Sequence, residues 1–373
     1  MRRTIGIKKR RLIRLARERE RHRVRRRMDG GARRTRLLQL IAQHRHALPA
    51  DAPKRQRIPL PVPKVLSLRD NYDETVGFIT SIRKYALENY HPVDLFFHDV
   101  EALEPAALTV LTAEIHRCRN LRKVYGKPAV SGFYPTDPEI YRQLQEIGFF
   151  RLLEIKDQHP PEIDEDVKRS RLVLPFLTDA TVTSELSASF IDQLAALVED
   201  AVPMNEISKR YLQGAIVEAM KNAGEHAYKL KPTYQALGHR WWLTGAFDLE
   251  KNEVAILLFD QGVGIPATLE PDLMVKLESL SRIEGMSPRD SMMIEVATRP
   301  GESSTRQAGR GQGFKTMRKF VDFCDDGDLI VYSNHGNYLY ARAGTARDDR
   351  ALPLGGTLIQ WRFRHSEPVM VTA

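Results

Sequence analysis

The sequence predicts an α+β protein carrying a basic N-terminal arm, and three observations lead there. Short apolar runs alternate with helical periods in the first half of the chain. Two long helical periods followed by strands at hairpin spacing fill the second half. The positive charge is gathered at one end: residues 1–50 hold 18 Lys+Arg against 3 Asp+Glu, although the whole chain carries a formal +9, so the remainder is acidic.

With 373 residues, 42% of them hydrophobic, the chain is long enough for two domains of ordinary size, each with a core. No run approaches the roughly 18 consecutive apolar residues that a membrane helix needs, and no apolar stretch near the start has the small-residue boundary of a secretory signal. The expectation is a cytoplasmic protein with no membrane partner. Cys118 and Cys324 lie far apart, with no CxxC pair and no His/Cys cluster at metal-ligand spacing. Neither a disulfide framework nor a zinc site is expected, and both cysteines read as buried apolar groups.

Taken in order, residues 1–46 form the arm, in which "KKRRLIRLARERERHRVRRR" is free of proline and glycine and reads as a helix or an unstructured tail. Each lysine or arginine set against a phosphate releases a counterion, so nucleic acid or an acidic surface is the expected partner, and a merely solvated arm is the plainer alternative. Residues 47–64, "ALPADAPKRQRIPLPVPK", contain five prolines and read as a stiff extended linker.

From 65 to 158 the pattern is α/β. "VDLFFHD" is a strand, "PAALTVLTAEIHRCRNLRKVYG" a helix ending at a glycine, "PAVSGFY" a second strand, and "DPEIYRQLQEIGF" a helix beginning at Asp-Pro. This stretch resembles the STAS domain of anti-sigma-factor antagonists: a strand, an acidic turn, the helix "ALTVLTAEIHRC" and a closing "IYRQLQEIGFFRLLEI". In that family the turn before the helix carries a serine or threonine that a partner kinase phosphorylates. Here the turn holds Glu104, Pro105, Ala106 and Ala107, with no hydroxyl. The resemblance therefore implies a scaffold that engages a protein partner, its phosphorylation switch missing or replaced by the fixed charge of Glu104.

A second domain, 170–366, follows the acidic link "QHPPEIDEDVKRS". "RLVLPF" opens it as a strand, then come a helix from Ser184, read as its N-cap, to Val202 and a longer helix from Asn205 to Tyr228. The strands "RWWLTGAFDLE" and "EVAILLFDQG" precede a variable region, 267–308; a glycine-rich loop, the helix "FKTMRKFVDFC" and closing strands "DLIVYSN", "NYLYARAG" and "TLIQWRF" complete it. Paired helices on a sheet of hairpins make an α+β sandwich.

Chemistry concentrates in four places. Within "EAMKNAGEHAY", Glu218 and Asn222 lie four apart and share a helix face, with Glu225 and Tyr228 on neighbouring faces. A glutamate takes a proton from water and an asparagine offers a neutral oxygen to a hard cation; a solvated face is the other reading. "LLFDQGVGIP" ends a strand on Asp260, followed by Gly262 and Gly264, which either admit a flat ligand or simply make a tight turn. "GRGQGFKTM" sets Gly309, Gly311 and Gly313 directly before a helix, a phosphate cradle or a flexible loop. The fourth is "GGT", Gly355 to Thr357, opening a late strand.

In this order the four boxes resemble those of the Bergerat-fold ATPases, also called GHKL, which include gyrase B subunits, heat-shock chaperone ATPases, mismatch-repair ATPases and histidine kinases. "NAGEHAY" is most similar to the helix of anti-sigma-factor serine kinases. The resemblance implies a Bergerat-type α/β sandwich over about 180–366 that binds ATP and Mg²⁺. Glu218 would be the general base and Asn222 the Mg²⁺ ligand. Asp260 would bind the adenine amine, with Gly262 and Gly264 lining the base. Gly309, Gly311 and Gly313 would wrap the triphosphate, and Thr357 would support the adenine side. Residues 267–308 would be the lid. His226 would lie near the phosphates or be bonded locally.

The resulting expectation is an ATP-binding signalling protein in which slow hydrolysis drives a lid-based switch. One alternative is a serine/threonine kinase of the anti-sigma type acting on a partner in trans, since Ala106 and Ala107 offer no acceptor in cis. The other is a nucleic-acid-binding protein regulated by its ATPase domain. A sensor histidine kinase is disfavoured, because His116 lies on a helix of the α/β unit with no acid beside it.

Overall fold

The near-continuous apolar run of "EVAILLFD" predicts a strand covered on both faces, and the computed structural model shows what covers it. It describes residues 56–124, 127–154, 169–199, 201–269, 274–275, 277, 289–298 and 313–364. The basic arm 1–46, most of the acidic link, most of the expected lid, Gly309 and Gly311 lie outside the described residues.

The first half comprises β1 (Ile58–Pro61), β2 (Val65–Leu66), α1 (Tyr72–Arg83), β3 (Val93–Phe96), β4 (Ala102–Leu103), α2 (Pro105–Leu121), β5 (Lys123–Val124), β6 (Lys127–Pro128), β7 (Val130–Phe133), α3 (Pro138–Ile147) and α4 (Phe149–Leu152). Strands β1, β3 and β7 form a parallel sheet in that order. The proline-rich run thus contributes an edge strand. The N–H groups of Ile58 and Val62 pair inward with Pro92 and Phe96, while Pro59 and Pro61 fall on the outward side, where no donor is needed. Asp137 caps α3 by accepting from the N–H groups of Glu139 and Ile140, and Gly148 ends it in the left-handed conformation.

The second half comprises β8 (Arg171–Val173), β9 (Leu177–Asp179), α5 (Ser184–Val198), α6 (Glu206–Glu225), β10 (Trp241–Asp248), β11 (Glu253–Asp260), α7 (Asp290–Thr298), α8 (Gly313–Phe323), β12 (Asp326–Ser333), β13 (Gly336–Ala341), β14 (Gly344–Asp349) and β15 (Thr357–Arg364). Ser184 is the first residue of α5 rather than its cap; the cap is Thr183, whose hydroxyl accepts from the Leu186 N–H. The strands build one antiparallel sheet, β14-β13-β12-β15-β11-β10-β8, with β9 also paired to β10.

Alternate residues of this sheet enter two cores. Val254, Ile256 and Leu258 face α5, α6 and α8, with Trp241, Leu329 and Trp361 beside them. Ala255, Leu257 and Phe259 join the other core with Trp242, Tyr332, Leu358 and the buried residues of α1, α2 and α3. Every residue of α2 from Pro105 to Cys118 is buried, as befits a helix enclosed on all sides. The second of these cores is therefore shared between the two halves of the chain, while the first belongs to the second half alone. The protein is a mixed α/β structure in which α2 lies between two sheets. Cys118 is buried and Cys324 half-buried, both free. Among the described residues no helix is long and apolar enough to cross a membrane.

Candidate functional site

Helix α6 is fixed at its start by Asn205, whose side-chain oxygen accepts from the Ser208 N–H at 2.8 Å. Leu212, Ala215, Ile216, Ala219, Met220 and Ala223 bury its inner face. Glu218 and Asn222, on the next face, turn toward the start of α8. A Cβ placed on Gly313 would lie 3.3 Å from Glu218 Oε2 and 3.6 Å from either amide atom of Asn222. The first box thus meets Gly313, the one described glycine of the third. The two helices come close because Gly214 leaves room for Thr316, whose methyl would stand 3.2 Å from a Cβ there.

Glu218 is partly exposed, at 26%, and its Oε1 accepts from Lys221 Nζ at 2.8 Å. That contact raises the lysine's pKa. It leaves Oε2 as the oxygen facing Gly313.

The helix ends at Glu225, three residues before the expected end, because the N–H groups of His226 and Ala227 both return to the Asn222 carbonyl, at 3.0 and 3.2 Å. The Ala227 carbonyl then accepts from the Val263 N–H at 2.8 Å. Gly262 is pressed so close that a Cβ would stand 2.3 Å from the Ala227 oxygen, a space that only glycine fits. His226 Nδ1 lies 3.1 Å from Lys229 Nζ. The Tyr228 hydroxyl donates to the Arg240 carbonyl at 2.6 Å and accepts from the Gln261 N–H at 3.1 Å.

Asp260 ends β11, 5% exposed. Burial pushes its pKa up to about 7, against the opposing pull of the Gly262 and Thr357 backbone N–H groups. Gly262 donates to Oδ1 at 2.8 Å. Thr357 is Asp260's register partner on β15 and is itself buried. Gly356 precedes it at φ +139, and a Cβ there would lie 2.1 Å from the Asp260 carbonyl. Gly264 packs against the Asn334 side chain. The second and fourth boxes therefore form a single cluster, tied through Ala227 to the end of α6.

Two further residues complete this cluster. Ser333 Oγ lies 3.0 Å from Thr357 Oγ1 and accepts from the Ile265 N–H at 2.8 Å. Asn334 Nδ2 donates to the Val263 carbonyl at 3.1 Å. The signal was the Ser-Asn pair closing "DLIVYSN", directly across from "GGT" in register. Gln261, 1% exposed, has no hydrogen-bond partner for either side-chain amide atom. Among the described residues no group of three or more His, Cys, Asp or Glu is arranged to hold a metal by itself.

No family model matches the chain, and no curated protein matches it in sequence.

Proposed function

We propose that the chain binds Mg-ATP between α6, α8 and the loop after β11, hydrolyses it slowly, and acts as a nucleotide-dependent regulatory switch. The observation that carries this reading is the meeting of Glu218 and Asn222 of α6 with Gly313, some ninety residues further along the chain, at the N-terminus of α8. A helix N-terminus that opens on glycine presents free N–H groups to phosphate, and the missing side chain at Gly313 lets a phosphate approach that backbone more closely than any other residue would.

The donors fit the group. Asn222 offers a neutral oxygen of the kind Mg²⁺ takes alongside phosphate and water. Mg²⁺, when bound, would neutralise charge on the phosphates. Glu218 Oε2, its sister oxygen held by Lys221, would take the proton of the attacking water as ADP and phosphate leave. Asp260, desolvated at the end of β11, would accept from an exocyclic amine, and Ser333 and Thr357 would order the same side.

Transfer to a hydroxyl of another chain would use the same residues. No acceptor is offered by α2 itself: Ala106 and Ala107 are buried, and the hydroxyls of Thr109 and Thr112 are tied to carbonyls of their own helix.

The test is ATP binding and turnover with Mg²⁺, on the intact protein and on Glu218→Gln and Asp260→Asn. Glu218→Gln should bind nucleotide and lose roughly 10²–10⁴-fold in turnover, the span typical of a general base. Asp260→Asn should lose binding. An intact protein that binds no ATP overturns the reading.

A further inference from the structure

The first half of the chain contains a cavity of about 360 Å³ between the C-terminal part of α2, the edge strand β7 and the α3–α4 corner. Its wall is aliphatic and aromatic, with Leu95, Phe97, Leu144, Phe149 and Phe150 prominent. The one charged residue lining it is Arg119, in the last turn of α2. Its volume falls among those of small-ligand sites, which are apolar with a few placed polar groups.

Arg119 Nη1 donates to the Val130 carbonyl at 2.7 Å. No carboxylate pairs with it among the described residues; Glu154 acts on it only from a distance, while burial draws its pKa down. The end of α2 offsets part of the cost of that lone charge, since carbonyl dipoles favour a cation there. One carbonyl still satisfies only one of a guanidinium's five N–H donors. A planar fork with spare donors, set in an apolar wall, matches a carboxylate on an apolar body. A single cation suits a monoanion, whereas a nucleotide's phosphates would need several donors. At the rim Phe133, 48% exposed, stacks on Phe96 with ring centroids 4.7 Å apart.

We propose that this cavity binds a small alkyl or aryl carboxylate, Arg119 taking the carboxylate and the apolar wall taking the body. The site is separate from the residues assigned to nucleotide and stands or falls independently of them.

Calorimetric titration of the full-length protein with decanoate and with decanol, the uncharged analogue, tests this. Decanoate should bind, and decanol should bind roughly tenfold or more weakly, the difference a charge-assisted pair makes. Arg119→Gln should bring decanoate down to the affinity of decanol without changing the affinity for decanol. Equal affinities for the two probes on the intact protein, binding of neither, or decanoate binding unaltered in Arg119→Gln would each overturn the proposal. If Arg119→Gln does not fold, the ratio on the intact protein decides alone.

Discussion

Arg83 Nη2 donates to the backbone carbonyl of Leu354 at 2.7 Å, tying α1 to the turn that leads into β15. The same guanidinium holds Glu114 Oε2 through Nε at 2.8 Å, and Glu114 also pairs with Arg117; all three side chains are buried. Gly355 lies against Arg83, where a Cβ would come within 2.7 Å of Nη1. Tyr72 holds the same turn, its hydroxyl donating to the Leu352 carbonyl at 3.0 Å. The turn before Thr357 is thus set in part by the first half of the chain.

Removing Arg83 leaves Glu114 with Arg117 as its one cationic partner and takes away the hydrogen bond that Arg83 gives the Leu354 carbonyl. Arg83→Met should destabilise the fold by about 1–3 kcal/mol, the usual cost of leaving buried hydrogen-bonding groups without a partner, because Arg117 still compensates the Glu114 charge. Urea denaturation measures it. A loss under about 1 kcal/mol would mean that the cluster is not holding the two halves together.

The pH dependence of stability should be flatter than either of two buried groups alone would make it. Asp260 titrates at about 7 when folded and at about 3.9 when unfolded, so the folded state keeps a proton that the unfolded chain has lost. Its contribution makes the protein most stable below pH about 4 and falls as pH rises to about 7. His116, pushed down to about 3 first by burial and then by Arg240 and Arg119, works the other way. The unfolded chain protonates it below about 6.5, so its contribution is lost as pH falls toward 3. Asp260→Asn should leave the His116 slope exposed, with stability dropping as pH falls from 6.5, by up to roughly 5 kcal/mol over the full span down to about 3. Melting temperatures between pH 4 and 8 read this; an unchanged profile in Asp260→Asn would refute it.

Gly262→Ala forces a methyl against the Ala227 carbonyl, where the ideal separation is 2.3 Å. The backbone must move, and a loss of about 1–3 kcal/mol is expected for such overpacking. Nucleotide affinity should fall with it, because the shift is transmitted to the neighbouring Asp260. Thermal melting and a fluorescent-nucleotide titration check the two effects separately.

Gly313→Ala should behave in the opposite sense for stability. Alanine favours a helix by about 0.8–1 kcal/mol over glycine in a helix interior, and somewhat less at this terminus. The added methyl would nevertheless stand 3.3 Å from Glu218 Oε2. The variant should melt no lower than the parent and turn over ATP more slowly. A variant as active as the parent would argue that the space beside Gly313 is not used.

Much of this architecture was legible where local chemistry and burial agree. Asn205 before "EISK", Asp-Pro before "EIYR" and the apolar strand ending on Asp260 each name an element and an edge of it. Three things were not legible, each because the cause lies far away in sequence. β1 hides among prolines, and only its place at a sheet edge makes them harmless. β14 is almost wholly exposed, with no apolar face to betray it, and exists because β13 pairs with it. Arg83 reads as an ordinary basic residue in a helical last turn, since neither Glu114 nor Leu354 is near it in sequence. In the site, the four boxes stood out while Ser333 and Asn334 did not, because their role depends on cross-strand register with Thr357.

The core shared across α2 also has a consequence for how the nascent chain matures. Trp242, Phe259, Tyr332 and Leu358, which complete the packing around the first half, leave the ribosome long after α2 does. Until β15 is made, the cover over the first half lacks its last strand, and apolar surface left open in this way invites association with other chains. Synthesis of this protein therefore includes an interval of exposed apolar surface that ends only when the last strand of the sheet is laid down.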